Sequence, residues 1–312
     1  MYGLKGQAGF AAASSWGATF VPATTMIPFV SESITKNFDR MMSKALIGQA
    51  GEHESEVGRQ IVAGDLVMDL DYNNLGLLEY ALGDLTTGTY SLTMDLPMFH
   101  LEIDKGVQRY RFQSCKVNQV TIAGSAGAED PITVTLNVIA YSATISGSTF
   151  PSLSLSTPTR AWFEDLSMFR IGDLADALAP GDELGISSFE LVCNHGLQAD
   201  GKDSSNQANV LEPIRNEFRQ VTAKFGLARN SSDAENIADL CAAGTRVQAQ
   251  LALTNGSDSF TVYLPQGKVT VPPHMNVSGP GVISSEFETS WHYNNDNSNM
   301  STREDQVEIV VS

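Results

Sequence analysis

Residues 58–83, GRQIVAGDLVMDLDYNNLGLLEYALG, change hydrophobic period once, and that change restricts what the chain can become. Leu66, Met68 and Leu70 alternate with Asp65, Asp69 and Asp71. Period two sends the apolar set to one face of a strand and the carboxylates to the other. Leu75, Leu78 and Leu82 then recur at helical spacing, with Asn73-Asn74 as candidate caps and Gly83 just past the end. The stretch predicts a strand, a tight turn and one short amphipathic helix, whose leucines must be buried against a sheet.

The unit returns about 160 residues later as EFRQVTAKFGLARNSSDAENIADLCAAG, from Glu217. Phe218 to Val221 lines up with Gly58 to Ile61, and Val221, Ala223, Phe225 and Leu227 alternate. A second helix is expected from Ser232, with Glu235 completing a capping box, to Gly244. The following segments also answer in order. FHLEI (99–103), a turn at Asp104-Lys105-Gly106, Tyr110–Phe112, the loop GSAGAEDP (124–131) and ITVTLNVIAY (132–141) are matched by a second set. That set is Leu251–Leu253, a turn at 254–257, Phe260–Tyr263, Lys268–Val271, NVSGPG (276–281) and Val282–Tyr293. These are hairpin signals of a mainly β chain, and their order reads as an internal duplication.

Several segments frame these units. Residues 1–28 read as an extended or irregular arm, and Ile27–Phe38 as one strand or two short ones. Residues 40–57 read as a long loop with the cluster Glu52-His53-Glu54-Ser55-Glu56; such loops are uncommon inside compact domains and are usually functional. The uncharged Ser/Thr/Pro stretch Ser146–Thr159 reads as a linker, set at 147–160 between domains at 1–146 and 161–312. Leu174, Ala177 and Leu178 suggest a short helical stretch stopped by Pro180-Gly181, and Phe189–Cys193 a strand matching Phe29–Ile34.

Charge narrows the partners. The net charge is −17, and both halves are acidic, with 9 basic and 15 acidic residues in 1–156 against 10 and 21 in 157–312. Adhesive nucleic-acid binding wants a basic surface, although an acidic one still lets nucleic acid slide past. No run is long and apolar enough for a membrane span, and MYGLKGQAGF lacks a basic segment ahead of an apolar core, so neither span nor export signal is expected. Three widely spaced cysteines without a CxxC read as free thiols, not as a disulfide framework or a metal site.

Candidates for chemistry are weak. His100, Glu102 and Asp104 fall at i, i+2, i+4, a spacing that can ligate a metal, but the wet face of a hairpin strand is the simpler reading. The Glu52–Glu56 cluster reads as a solvated loop or a protein contact. Asp69-x-Asp71 echoes half of a glycosyltransferase metal motif but belongs to strand alternation. No Ser–His–Asp order stands out, and GSAGAEDP lacks the Gly-Lys-Ser/Thr of a phosphate loop. No catalytic, cofactor or metal residue is assigned, and no enzyme activity or cofactor is expected.

Taken in order, the Gln7–Phe10 arm, IPFVSES, the Gly/Glu loop, the 58–83 unit, FHLEI, and YRFQSCKVNQVTIAGSAG closing on TVTLNVIAY resemble the tail tube proteins of long-tailed bacteriophages. The resemblance covers 1–145, and 185–293 as a divergent second copy. It implies two tandem β-sandwich or barrel domains, each with one short flanking helix. It implies self-assembly into stacked trimeric, pseudo-hexameric rings that form the hollow conduit for DNA ejection, located in the virion tail and assembled in the host cytoplasm. Partners would be the chain itself, a tape measure in the lumen, the tail tip and terminator at the ends, and DNA passing non-specifically, with no membrane. For ring-to-ring contact the expectation falls on the long loop, at Lys44, Gln49, Glu52, His53, Glu54 and Glu56. Competing readings are a tail-tip hub, distal-tail or receptor-binding component, and a carbohydrate-active β-sandwich enzyme.

Overall fold

The computed structural model describes residues 6–42, 55–86, 88–147, 149–199, 209–227, 232–273, 285–293 and 306–311. The first half contains β1 (Gln7–Ala13), β2 (Thr25–Ile27), β3 (Ser31–Glu32), β4 (Thr35–Met42), β5 (Ser55–Asp69) and α1 (Gly76–Leu82). It continues through β6 (Gly83–Thr86), β7 (Thr89–Leu92), β8 (Met98–Asp104), β9 (Arg109–Ser125) and β10 (Thr133–Ser146). The second half contains β11 (Leu166–Asp173), β12 (Ile186–Asn194), β13 (Leu197–Gln198), β14 (Ile214–Arg215), β15 (Gln220–Leu227) and α2 (Ser232–Ala243). It ends with β16 (Arg246–Asn255), β17 (Asp258–Val271), β18 (Ser285–Trp291) and β19 (Glu308–Val311).

The chain is mainly β, and its pairing follows one plan in each half. In the first half the antiparallel ladders run β1–β8–β9–β10–β5, with β3 and β4 in line on the far edge of β5. In the second they run β11–β16–β17–β18–β15–β12. Each plan even carries a bulge at the same place, the extra residue being Asn118 on β9, between the partners of Asn137 and Val138, and Thr270 on β17, between the partners of Thr289 and Glu288. Matching the bulges sets Val62 against Val221 and Gly64 against Ala223. Both matches keep the alternation in phase, because Val62, Val221 and Ala223 are all buried. The sequence reading had paired Ile61 with Val221, and in a strand a one-residue slip exchanges the two faces.

Two sheet joins tie the halves together. β9 pairs with β12 along its outer edge, from Gln119 opposite Asn194 to Ser125 opposite Ser188. β19 inserts between β17 and β7. The buried cluster is continuous across both halves, from Leu66, Leu101 and Phe112 to Phe169, Phe225 and Phe287. α1 buries Leu77, Leu78, Ala81 and Leu82 in it.

Local corrections have local causes. Asn73-Asn74 do not cap α1, whose N-cap is Leu75 without a side-chain bond. Asp71 governs that turn instead, with its backbone partly in strand phase but its side chain 1 % exposed. Its carboxylate accepts from the Asn73 amide at 2.9 Å, Asn74 Nδ2 at 2.7 Å and the Thr159 amide at 3.0 Å, so the linker is pinned to the turn. Leu174–Leu178 are not helical; β11 precedes them, and a 3₁₀ turn spans Pro180–Asp182. The arm forms β1 rather than irregular chain. The long loop is narrower than 40–57, since β4 and β5 stay paired out to Met42 and Ser55. The side chain of Ser232, invoked for the second capping box, lies outside the described residues.

Candidate functional site

The candidate surface is the strand face that the core does not use. Reading directly opposite residues across the ladders, one row runs Asp65, Asn137, Gln119, Asn194, Gln220 and crosses from the first half into the second. A neighbouring row runs Val67, Thr135, Thr121, Val192, Thr222, Ser290 and Lys268. A third runs Asp69, Thr133, Ala123, Glu190, Lys224, Glu288 and Val271. The residues between them, Leu66, Leu136, Val120, Leu191, Val221, Ala223 and Phe287, are buried. Strand alternation therefore gives a continuous polar face spanning both halves.

Its chemistry is small, polar and net acidic. Threonine, serine, asparagine and glutamine hold nine of the nineteen positions in these rows. Within the rows the carboxylates Asp65, Asp69, Glu190 and Glu288 outnumber Lys224 and Lys268. Asn137 Nδ2 donates to Asp65 Oδ1 at 2.8 Å, Lys224 pairs with Glu286 at 2.9 Å, and Arg160 reaches Asp69 from the linker at 2.8 Å. Such a face offers DNA phosphates few cations. At the end of the β9–β12 join an open hollow of about 400 Å³ is lined by Asp130, Glu190, Lys224 and Glu286, with neither histidine nor cysteine in it.

The residues singled out for chemistry serve structure. His100 and Glu102 do not lie on a wet face; they are 1 % and 0 % exposed. The segment after β1 covers that face of β8, with the Phe20 ring 5.2 Å from that of His100 and the Ala23 amide on Glu102; the reading of residues 1–28 as an extended or irregular arm did not place it there. Glu102 accepts from Arg109 Nε and Arg111 Nε at 2.7 Å each and from the Ala23 amide at 3.3 Å. Arg109 also donates to the Thr149 carbonyl, so this buried group holds both the N-terminal segment and the linker to the hairpin. His100 Nδ1 accepts from the Ser114 amide at 3.1 Å, and burial lowers its pKa. Burial pushes the Cys193 thiol up to about 12 and raises that of Cys115, which leaves both as poor nucleophiles. Among the described residues no three His, Cys, Asp or Glu side chains gather as a metal site, and no helix is long and apolar enough to cross a membrane. Lys44, Gln49, Glu52, His53 and Glu54 lie outside the described residues. Glu56 sits in β5 opposite Met41, at the far end of the β4–β5 ladder.

Comparison with protein families bears on the chain as a whole. Residues 3–290 match the family model described as phage tail tube protein. The chain belongs to the phage tail tube protein family. That places it among the structural proteins of the virion tail, which assemble with themselves and with other tail proteins. No curated protein matches the chain.

Proposed function

We propose that this tail tube protein is the repeating subunit of the tube, and that three copies close a pseudo-hexameric ring whose lumen is lined by the polar face. In this reading residues 1–146 and 161–312 are two tube domains descended from an internal duplication, joined by the linker at 147–160. The observation that carries it is the stagger of the β9–β12 join. The row entering the first half at Ser33, whose amide bonds to the Asp65 carbonyl, leaves it at Asn194 on β12. On β12 the place equivalent to Ser33 belongs to Glu190, opposite Lys224, so each four-strand half advances the row by 194 − 190 = 4 residues. Four residues over four strands, at about 3.3 Å per residue and about 4.8 Å between strands, tilt the strands by roughly 35°, the tilt of closed barrels. Repeating the step around an axis pairs every edge, and an unpaired edge invites aggregation.

Rings then stack to form the conduit, around a tape measure during assembly and around DNA during ejection. Lys44, Gln49, Glu52, His53, Glu54 and Glu56 are assigned to contact with the next ring, because residues 43–54 leave from the end of a paired ladder. Negative-stain electron microscopy of concentrated protein or intact particles tests the proposal. Stacked hollow rings with threefold symmetry are expected. A single unstacked ring would move the assignment to a tail-tip hub, and monomers at every concentration would remove the tube function.

A further inference from the structure

The two ends of the joined sheet are not equivalent to the seam inside it, and the difference is written in two prolines. Inside the chain, β9 runs unbroken through the seam, and Gln119 to Ser125 face β12 residue by residue without a proline. The equivalent strand of the second half, β17, ends at Val271, and Pro272-Pro273 follow at once. Matched by its bulge, Val271 takes the place of Gln119, and Pro272 and Pro273 take the places of Val120 and Thr121. At the opposite end of the sheet, the residues equivalent to Val192, Cys193 and Asn194 are Thr35, Lys36 and Asn37. All three are exposed, and among the described residues the strand holding them pairs only with β5. Lys36 does not point along the edge; its Nζ donates to the Ala143 carbonyl at 3.3 Å.

Resting on the ring reading, we infer that Val271–Pro273 of one copy and Thr35–Asn37 of a second copy form the intermolecular seam, with Val271 opposite Asn37, and that the proline pair makes this seam the weaker one. Register transfers directly from the internal seam, where Gln119 stands opposite Asn194. Successive residues of an antiparallel strand direct their N–H groups to opposite neighbours. Of two consecutive prolines, one therefore lacks a donor toward β18 and the other lacks a donor toward the incoming edge. The internal join keeps both donors. Proline at an exposed edge is a common guard against indiscriminate strand addition. Here it raises the concentration at which the free subunit closes rings, so that rings close first on the added contacts of an existing tail end.

Two experiments separate this inference from the ring reading. The double variant N37C/V271C, assembled and mildly oxidised, should yield disulfide-linked species on a denaturing gel up to the copy number of one ring, and neither single variant should. Cys115 and Cys193 are buried and remain as internal controls, and the half-buried Cys241 is replaced by serine in every variant. If rings with threefold symmetry form but no link appears, the seam is wrong and the ring stands; if no rings form, the ring reading itself fails. For the prolines, P272T/P273T should bring self-association of the free protein to lower concentration, roughly five-fold for each seam hydrogen bond restored. The readout is sedimentation at matched concentrations. Should the double change impair folding, P272T and P273T are compared singly, and only the one facing the edge should strengthen association. Unchanged or weakened association in folded variants overturns the role given to the proline pair.

Discussion

The Nε2–H of His195, at the end of β12, donates to the carbonyl of Ala81 at 2.6 Å. Ala81 lies in the last turn of α1, where carbonyls have no partner within the helix. The bond therefore fastens the first half's helix to the second half's seam strand. Arg215 Nη2 and Arg219 Nη2 extend the fastening by donating to the Thr93 carbonyl beside it. His195 is fully buried, and burial, with help from Arg219 and Arg215, lowers its pKa from 6.5 to about 4. A folded-state pKa below the unfolded one contributes stability that is complete above pH 6.5 and disappears as the pH falls toward 4. The wild-type melting temperature should fall more steeply across that window than that of His195→Gln, which keeps a donor but cannot titrate. Equal pH slopes in differential scanning calorimetry would show that His195 does not control the junction.

Glu102 should be the costliest single carboxylate to neutralise. It is wholly buried, and Arg109, itself 3 % exposed, depends on it. Removing one partner of a buried ion pair strands the other charge and costs about 3–5 kcal/mol. Glu102→Gln should therefore lower the unfolding free energy, measured by denaturant titration, by an amount in that range. Asp69→Asn, whose partner Arg160 is half exposed, should cost under about 1 kcal/mol. Comparable losses for the two variants would contradict the assignment of Glu102 as the anchor of the N-terminal segment and linker.

What the residues alone revealed depended on how local the cause was. Period two in Leu66, Met68 and Leu70 located β5, and helical spacing located α1, because alternation reports burial directly. His100 and Glu102 were misjudged because what covers them, Phe20 and Ala23, belongs to an N-terminal segment of little periodicity that lies far away in sequence, 79 residues in the case of Ala23 and Glu102. The alignment of the two halves slipped by one residue because short matches such as Arg-Gln carry no information about face. Only the ladder bulges resolved that phase. The polar face was invisible for a related reason. Thr121, Asn137, Val192 and Thr222 are unremarkable in sequence and become a surface only when four strands from each half are laid side by side.

Gly64 should resist even the smallest enlargement. A Cβ placed there would sit 2.5 Å from the Ser33 carbonyl oxygen and 2.6 Å from Ile34 Cα, where the chain crosses from β3 to β4. Backbone atoms cannot swing aside as a flexible side chain does. The matching residue in the second half is Ala223, beside an uninterrupted β12, so the constraint comes from the β3–β4 break and not from the strand plan. Gly64→Ala should destabilise by about 1–3 kcal/mol, the usual cost of overpacking. The displaced edge would also impair ring closure through Thr35–Asn37. Thermal unfolding gives the first effect and electron microscopy the second; a variant of unchanged stability would mean that the two strands separate more easily than this packing implies.

The long hairpin allows folding and polymerisation to be separated. Met42 opposite Ser55 is the last described pair of the β4–β5 ladder, and that ladder is anchored further in by Thr35 opposite Ala63. Removing Gly48–Glu54 leaves the Met42–Ser55 pair able to close on a shorter loop, and loop-closure entropy changes only slowly with length. The shortened protein should keep its circular dichroism spectrum and melt within a few degrees of wild type. If these residues reach the next ring, it should give single rings but no long tubes, even on pre-formed tail tips. Retained single rings distinguish a stacking defect from a defect in the lateral seam, which would lose rings altogether. Tubes of ordinary length from the deleted protein would transfer the stacking role to another surface.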